Sequence, residues 1–305
     1  MLSRRAKLIF WMSRYLERSN FTSRLLITTS ELQLDLSLEN EISWKPLLTA
    51  MSLNKDYLKL NKKYSEKKII EFLISNKENH SSIINSLNYS KENSLIVRDI
   101  LPEQSILKLN ELLIKFNKTI NRKNSNKKNL KLLSNIIQGS QNFMYSTDLE
   151  MQRNIDYQFL GLGRFIERTD MLIRILQSQT LRSKQHKKGY EYLTLEWINI
   201  LKSISAFQAY RQHSKKDISI LDIIEFFLKT KIFPRSINWN LNQIERAIFR
   251  ISKKNDLTKN IKEIQRDVNN FKVKSDDLDN FLLFLEKIQK KIVNLDNLVQ
   301  KKYFS

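Results

Sequence analysis

Two segments of the chain, 150 positions apart, carry nearly the same order of charged, aromatic and aliphatic residues. The first reads Arg14-Tyr15-Leu16-Glu17-Arg18-Ser19-Asn20, and the second reads Arg164-Phe165-Ile166-Glu167-Arg168-Thr169-Asp170. A further arginine follows each segment, Arg24 in the first case and Arg174 in the second, at the same offset (174 − 24 = 150). The repetition predicts two related, pseudo-symmetric helical halves, each with one helix that carries the pattern.

The spacing of the charges predicts that they share one side of each of these two motif helices. Residues at i, i+3 and i+4 of a helix lie on one face, and a residue at i+10 returns to it. The opposite side is apolar, as in a helix that packs against a core. The charged stripe comprises Arg14, Glu17, Arg18 and Arg24 in the first half, and Arg164, Glu167, Arg168, Asp170 and Arg174 in the second.

Three interpretations of the two stripes remain open from the sequence. The first is an ion-pair network that docks the halves, for instance Glu17 with Arg168 and Glu167 with Arg18. The second is an anion site, because arginine binds carboxylate or phosphate through two parallel hydrogen bonds. The third is a solvated face without a specific role.

The chain is poor in glycine and proline. Only four glycines and three prolines occur among 305 residues, and strand-rich folds normally need many more. Apolar residues recur mostly at intervals of three or four, which is the helical period. We therefore predict an all-α bundle of about 10–12 helices. No linker is evident, so residues 1–305 are expected to form a single domain.

The same patterns place the individual helices. The first motif helix is predicted at about 3–34, the second at about 148–181, and the C-terminal helices within 190–302. Residues Thr147 to Glu150 have the spacing of a capping box and are expected to open the second motif helix. Pro46 is expected in the first turn of a short helix.

Several kinds of chemistry lack their usual residues. The chain has no cysteine, and its three histidines are far apart, so we expect no metal and no cofactor. Gly161 and Gly163 lie within a helical pattern, where they favour close helix packing over phosphate binding. No apolar run approaches the roughly 20 residues of a membrane span, and a cytoplasmic location is expected.

The net charge of +21 raises the question of nucleic-acid binding. The basic segments 122–128, 182–188 and 211–216 contain no acidic residue, and we interpret them as solvated connections between helices. They also lack the interleaved aromatic residues on which single-stranded bases stack. Nucleic acid is therefore disfavoured as a partner.

An ordered set of segments resembles a known family. These segments are Met1-Leu2-Ser3-Arg4, Trp11 to Arg18, Asn79 to Ile83, Glu92-Asn93 with Arg98-Asp99, Phe159 to Arg168, Ala209-Tyr210-Arg211 and Phe233-Pro234-Arg235-Ser236. Together they resemble the bacterial alpha-E domain proteins, which are named for their helices and a Glu-Arg motif. The resemblance spans nearly the whole chain. His80 departs from it, because the family usually has proline there, and Ser90-Lys91 stand where it has Ala-Arg.

The resemblance implies a context for the protein. Members of that family are encoded beside, or fused to, circularly permuted ATP-grasp proteins, often near transglutaminase-like peptidases. This association implies a non-catalytic partner or substrate-presenting subunit of an ATP-grasp-type amide ligase in a peptide synthesis or modification system. A peptide or an amino acid is the substrate it implies.

The alternative is an enzyme or anion-binding protein that uses the stripes directly. Glu17 and Glu167 would then serve as general acid and base, with the arginines as clamps. Neighbouring arginines lower the pKa of a glutamate, which suits electrostatic binding better than proton transfer.

Seven more polar residues of the resembling segments could extend the site: Asn79, Ser81, Glu92, Asn93, Arg98, Arg211 and Arg235. Helix caps and surface charges are the competing interpretation, and Arg211 and Arg235 could equally bind helix-end carbonyls.

Overall fold

The computed structural model describes residues 2–36, 40–120, 126–185, 190–214, 217–253, 256–274 and 277–304. Within these ranges the chain forms fourteen α-helices and no strand, which confirms the predicted all-α, multi-helix fold. The helices are α1 (Leu2–Leu36), α2 (Asn40–Ala50), α3 (Asn54–Leu60), α4 (Glu66–Ile74), α5 (Ile83–Ile96), α6 (Glu103–Ile120), α7 (Asn126–Glu150), α8 (Ile155–Gln185), α9 (Tyr190–Ser203), α10 (Phe207–His213), α11 (Ile220–Lys229), α12 (Ile237–Ile251), α13 (Leu257–Asn270) and α14 (Leu278–Tyr303).

The two motif helices, α1 and α8, pack against each other, and the other helices are arranged around them. Helix α1 also packs on α5 and α7, and α8 packs in the same way on α12 and α14. Helix α2 contacts α8, while its counterpart α9 contacts α1. Each counterpart comes seven helices later in the chain, which is the order that two related halves would produce.

A glycine allows α1 and α8 to approach closely. A Cβ atom added at Gly163 would overlap the carbonyl oxygen of Phe10 and the hydroxyl of Ser13, both on α1. A Cβ at Gly161 would meet only the ring of Phe165, at 3.4 Å. The predicted packing role of the two glycines is therefore confirmed for Gly163.

Helices α2 and α9 end in the same kind of turn. Ser52 and Ser205 have positive φ angles of 60° and 56°, and their amides donate to the carbonyls of Thr49 and Lys202. In both turns the next amide donates to the carbonyl five residues before it, which completes a Schellman motif. Glycine usually occupies the left-handed position, so serine gave no signal of a break. Helices α3 and α10 were missed for this reason, and the helix count exceeds the 10–12 predicted.

The start of the second motif helix differs from the prediction. Helix α7 continues through Thr147, whose hydroxyl donates to the carbonyl of Met144 over 2.8 Å, so the predicted capping box is wrong. Helix α8 begins at Ile155, after a break in which the side chain of Asn154 accepts a hydrogen bond from the amide of Tyr157. The Thr-x-x-Glu spacing here belongs to the last turn of a helix.

Two further expectations are corrected. Pro46 lies inside α2, after its first turn. Arg182 lies in α8 with 2% of its surface exposed, and not in a solvated loop. Residues 122–125, 186–188 and 215–216, which make up much of the three basic segments, lie outside the described residues. In the described part of the chain no helix is long and apolar enough to cross a membrane.

Candidate functional site

The charged stripes of α1 and α8 meet and pair crosswise. Nε of Arg18 donates to Oε1 of Glu167 over 2.6 Å, and Nη2 of Arg18 donates to Oε2 over 3.0 Å. In the opposite direction, Nε of Arg168 donates to Oε1 of Glu17 over 2.6 Å. Both glutamates are buried. These four residues, which we call the Glu-Arg clasp, form both of the crossed pairs in the ion-pair interpretation.

A second arginine on each motif helix pairs with an aspartate on another helix, and Arg14 also donates to the clasp. Arg14 donates from Nε to Oε2 of Glu167 over 2.8 Å and from Nη1 to Asp296 on α14 over 2.5 Å. Arg164 donates from Nη1 to Oδ2 of Asp148 on α7 over 3.1 Å. Each of these arginines thus fixes the motif helix of one half to the last helix of the other half.

Asp296 was not predicted as a site residue, and Asp148 appeared only in the wrong capping box. Asp296 lies four residues after Ile292 and three before Val299, which are both buried. Asp148 has the same spacing from two buried methionines, Met144 and Met151. A carboxylate beside an apolar stripe rarely stays unpaired. The position of each aspartate beside an apolar stripe was therefore the feature of the sequence that indicated a cationic partner.

The buried pairs keep Glu167 and its two arginines ionised. Burial by itself would raise the pKa of Glu167, but the guanidinium groups of Arg18 and Arg14 outweigh it and lower the pKa to about 2. Burial acts against the arginines as well, yet the facing carboxylates raise the pKa of Arg14 and of Arg18 above the ordinary value. Glu167 is therefore a carboxylate at neutral pH and has no proton to donate.

Comparison with known proteins places the chain in a family. The chain matches the model of the Alpha-E family, described as a predicted alpha-helical domain with a conserved ER motif, over residues 1–304. The chain belongs to the Alpha-E family. No curated protein and no solved structure gave a significant match. In this Alpha-E protein the dipeptides Glu17-Arg18 and Glu167-Arg168 together make the clasp.

The outer arginine of α8 holds the end of a neighbouring helix. Arg174 donates from Nε to Asp170, one turn earlier, over 2.7 Å. Its Nη1 donates over 2.7 Å to the carbonyl of Ala50, the last residue of α2. A cation is favourable there because the end of a helix carries unpaired carbonyls and partial negative charge.

The outer arginine of α1 has the same position but a different chemical setting. Arg24 donates from Nε to the side-chain oxygen of Asn20 over 2.9 Å and from Nη1 to the carbonyl of Ser203, which ends α9, over 2.8 Å. Arg235 donates to the next carbonyl of the same turn, that of Ile204, over 2.6 Å. Two arginines therefore meet at the end of α9, and neither forms an ion pair with any described residue.

The other candidate residues lie outside the clasp. The amide nitrogen of Asn79 donates to the carbonyl of Phe72, and its oxygen accepts from the amide of Ser81, so this side chain shapes the turn before α5. The side chain of Asn93 donates to the carbonyl of Leu8 on α1. Three more candidates are exposed and form no ion pair with the clasp in the described part of the chain: Glu92, Arg98 and Arg211.

The site offers few groups for metal or acid–base chemistry. The described residues contain no cluster of three or more His, Asp or Glu side chains arranged to hold a metal ion. Cavities of about 650 and 510 Å³ are lined by residues between Ala209 and Pro234 and by no residue of α1 or α8. The clasp is a packed contact between helices, and these cavities lie elsewhere.

Proposed function

We propose that this Alpha-E protein is a non-catalytic helical partner of an ATP-grasp-type amide ligase. It binds the ligase or presents the ligase's peptide or amino-acid substrate in a peptide synthesis or modification system. One structural observation supports the proposal: both motif glutamates accept hydrogen bonds from arginines of the facing helix. Glutamates used in this way hold two helices together and are not free to act on a substrate. This structural use of the motif favours a non-catalytic partner over an enzyme.

The alternative of an acid–base enzyme is weaker. Glu167 accepts three hydrogen bonds from Arg14 and Arg18, and its pKa is held near 2. Efficient general acids and bases have a pKa near the working pH. Glu167 is thus poorly suited to proton transfer, and Glu17 is held in the corresponding pair with Arg168.

Nucleic-acid binding is also weaker as a proposal. The motif arginines are paired with carboxylates or bound to carbonyls between helices, so they do not form a row of exposed contacts that could follow successive phosphates of a nucleic-acid backbone. Binding through the basic segments would weaken steeply and log-linearly with salt. Affinity for DNA or RNA that is saturable and follows that slope would favour this alternative.

The proposal is tested by capture followed by reconstitution. The tagged chain is incubated with its native lysate after nuclease treatment, and the captured proteins are identified by mass spectrometry. The captured ligase is then purified, and its rate of amide formation is measured with and without this chain. We expect an ATP-grasp protein to be recovered and its rate to rise when the chain is added. A ligase that runs at full rate alone would overturn the proposal.

Variants separate a scaffold from a catalyst. Under the proposal, Glu17→Gln and Glu167→Gln reduce the ligase rate only in proportion to the fraction of the chain that has unfolded. The exposed Arg246 supplies a control, and Arg246→Ala is expected to change neither folding nor rate. A fully folded Glu17→Gln or Glu167→Gln protein that no longer raises the ligase rate would instead favour a catalytic role.

A further inference from the structure

The two outer arginine clusters have the same architecture but different charge. Around the end of α2, Arg174 and Arg18 lie with Asp170 and Glu167, so two cations face two carboxylates. Arg18 joins this cluster from the facing helix α1, just as Arg168 of α8 joins the cluster at the end of α9. The cluster at α2 is therefore neutral.

The cluster around the end of α9 has two positive charges in excess. Arg24, Arg168 and Arg235 lie together, and Glu17 is the carboxylate among them. Asn20 stands where the other half has Asp170. Arg235 follows Pro234 in the turn before α12, where the equivalent turn before α5 has Ser81. The first difference removes a negative charge and the second adds a positive one, so both make the net charge of the cluster at α9 more positive.

The three guanidinium groups are close to one another. Arg24 and Arg235 donate to neighbouring carbonyls of the turn after α9. Arg168 donates from Nη1 to the carbonyl of Pro234, over 3.4 Å, in the residue just before Arg235. Burial, and then the charges of Arg24 and Arg168, lower the pKa of Arg235 to about 9, so it is still a cation at neutral pH.

Several donors of this cluster have no acceptor. Within the described residues, the Nη2 groups of Arg24, Arg168 and Arg235 make no hydrogen bond, and Nε of Arg235 makes none either. None of these four nitrogens is among the fully enclosed, unpaired polar atoms, so each keeps contact with solvent. Ser205, on the same turn, is exposed and marks the open side.

Capping of α9 does not account for the excess charge. Arg174 binds the end of α2 in the same way and has a carboxylate beside it. A helix end supplies only about half a negative charge. Uncompensated charge in a part-buried position is costly unless a counter-ion binds.

We infer that Arg24, Arg168 and Arg235 form a binding site for an oxyanion of charge about −2, either a phosphate group or a pair of carboxylates. The unpaired guanidinium donors supply the hydrogen bonds, and the fork geometry of arginine suits both chemistries. The cluster at α2, where Asp170 occupies the place of Asn20, has no such site. This inference is independent of the proposed ligase partnership.

The test measures binding of inorganic phosphate and of malonate to the full chain by calorimetry, with ionic strength held constant by potassium chloride. Asn20→Asp supplies the carboxylate that the other half has, and Arg235→Ser supplies the serine of the other half. We expect saturable binding of at least one probe to the natural sequence, weakened at least about tenfold in both variants. The stronger of the two probes identifies the chemistry.

A second measurement separates a binding site from a structural arginine. Asn20 also donates from its side-chain nitrogen to the carbonyl of Ile137 over 3.3 Å, so the melting temperature of Asn20→Asp is measured without added anion to show that the variant is folded under the conditions of the binding test. Arg246→Ser removes an exposed arginine on α12 and is expected to leave anion binding unchanged. The inference is overturned if neither probe binds saturably, or if Asn20→Asp binds as tightly as the natural sequence. The Asn20→Asp result decides the matter even if Arg235→Ser fails to fold.

Discussion

At the scale of single residues, burial makes the charges of the clasp depend on their partners. Glu167 is 1% exposed and accepts hydrogen bonds from two arginines. Removing such charged groups from water costs free energy, and the attraction within the pairs mainly offsets this desolvation cost. The clasp therefore fixes how α1 and α8 meet more than it adds net stability. Removing Glu167 leaves Arg18 without a carboxylate, whereas removing Arg18 leaves Glu167 paired with Arg14.

The lowered pKa of Glu167 predicts an acid sensitivity with a definite range. Its pKa falls from 4.5 to about 2 on folding, so its contribution is complete above about pH 4.5 and is lost as the pH falls toward 2. Over that range the linkage is on the order of 3 kcal/mol. We expect the difference in unfolding free energy between the natural chain and Glu167→Gln to shrink from pH 6 to pH 3. Urea titrations at each pH measure it, and parallel pH profiles for the two proteins would contradict the assignment.

At the scale of helices, the clasp requires that α1 and α8 lie close along their length. Both are long, spanning Leu2–Leu36 and Ile155–Gln185, and Gly163 lets the backbone of α8 approach Phe10 and Ser13 on α1. The side chains of the clasp lie one turn or more beyond this contact on each helix. Their short hydrogen bonds therefore depend on the separation that Gly163 sets.

The two glycines of α8 provide a matched pair for this point. Gly163→Ala forces its methyl group into the α1 backbone, and overpacking of this kind typically costs about 1–3 kcal/mol. Gly161→Ala makes an ordinary contact with Phe165, and alanine is the better helix former by about 1 kcal/mol. Thermal unfolding is expected to show a lower melting temperature for Gly163→Ala and an equal or higher one for Gly161→Ala. The opposite order would mean that the close approach of α1 and α8 is wrong.

At the scale of the whole molecule, sequence periodicity predicted the all-α class, and the repeated segments allowed the crossed pairs as one of three interpretations. The residues of the clasp could be identified from the sequence because they lie within one motif that recurs at a fixed offset. The partners that lie far away in the chain were not accessible in this way. Asp296 and the carbonyls of Ala50 and Ser203 reach the stripe only through tertiary packing. No local pattern indicates which helix end will face an arginine.

Helix boundaries were predicted wrongly where a residue adopts a conformation or a hydrogen bond that its type does not usually have at that position. Ser52 and Ser205 take the left-handed position that glycine normally occupies, and Thr147 bonds back into its own helix where a capping box was expected. The charge difference between the two arginine clusters was visible in the sequence as Asn20 against Asp170. It acquired meaning only when Arg235 was found beside Arg24 and Arg168.

The central claim is that the Glu-Arg motif clasps α1 to α8, and a double-mutant cycle tests it most directly. Unfolding free energies are measured by urea titration for the natural chain, Arg18→Ala, Glu167→Ala and the double variant. The exposed pair Lys59 and Asp56 serves as the control cycle, for which a coupling below about 1 kcal/mol is expected. The clasp predicts a coupling between Arg18 and Glu167 of about 1–3 kcal/mol, because Glu167→Ala leaves Arg18 without a carboxylate and Arg18→Ala leaves Glu167 with Arg14 as its remaining arginine. Effects that add within about 0.5 kcal/mol would show that the two side chains do not interact, and would contradict the clasp.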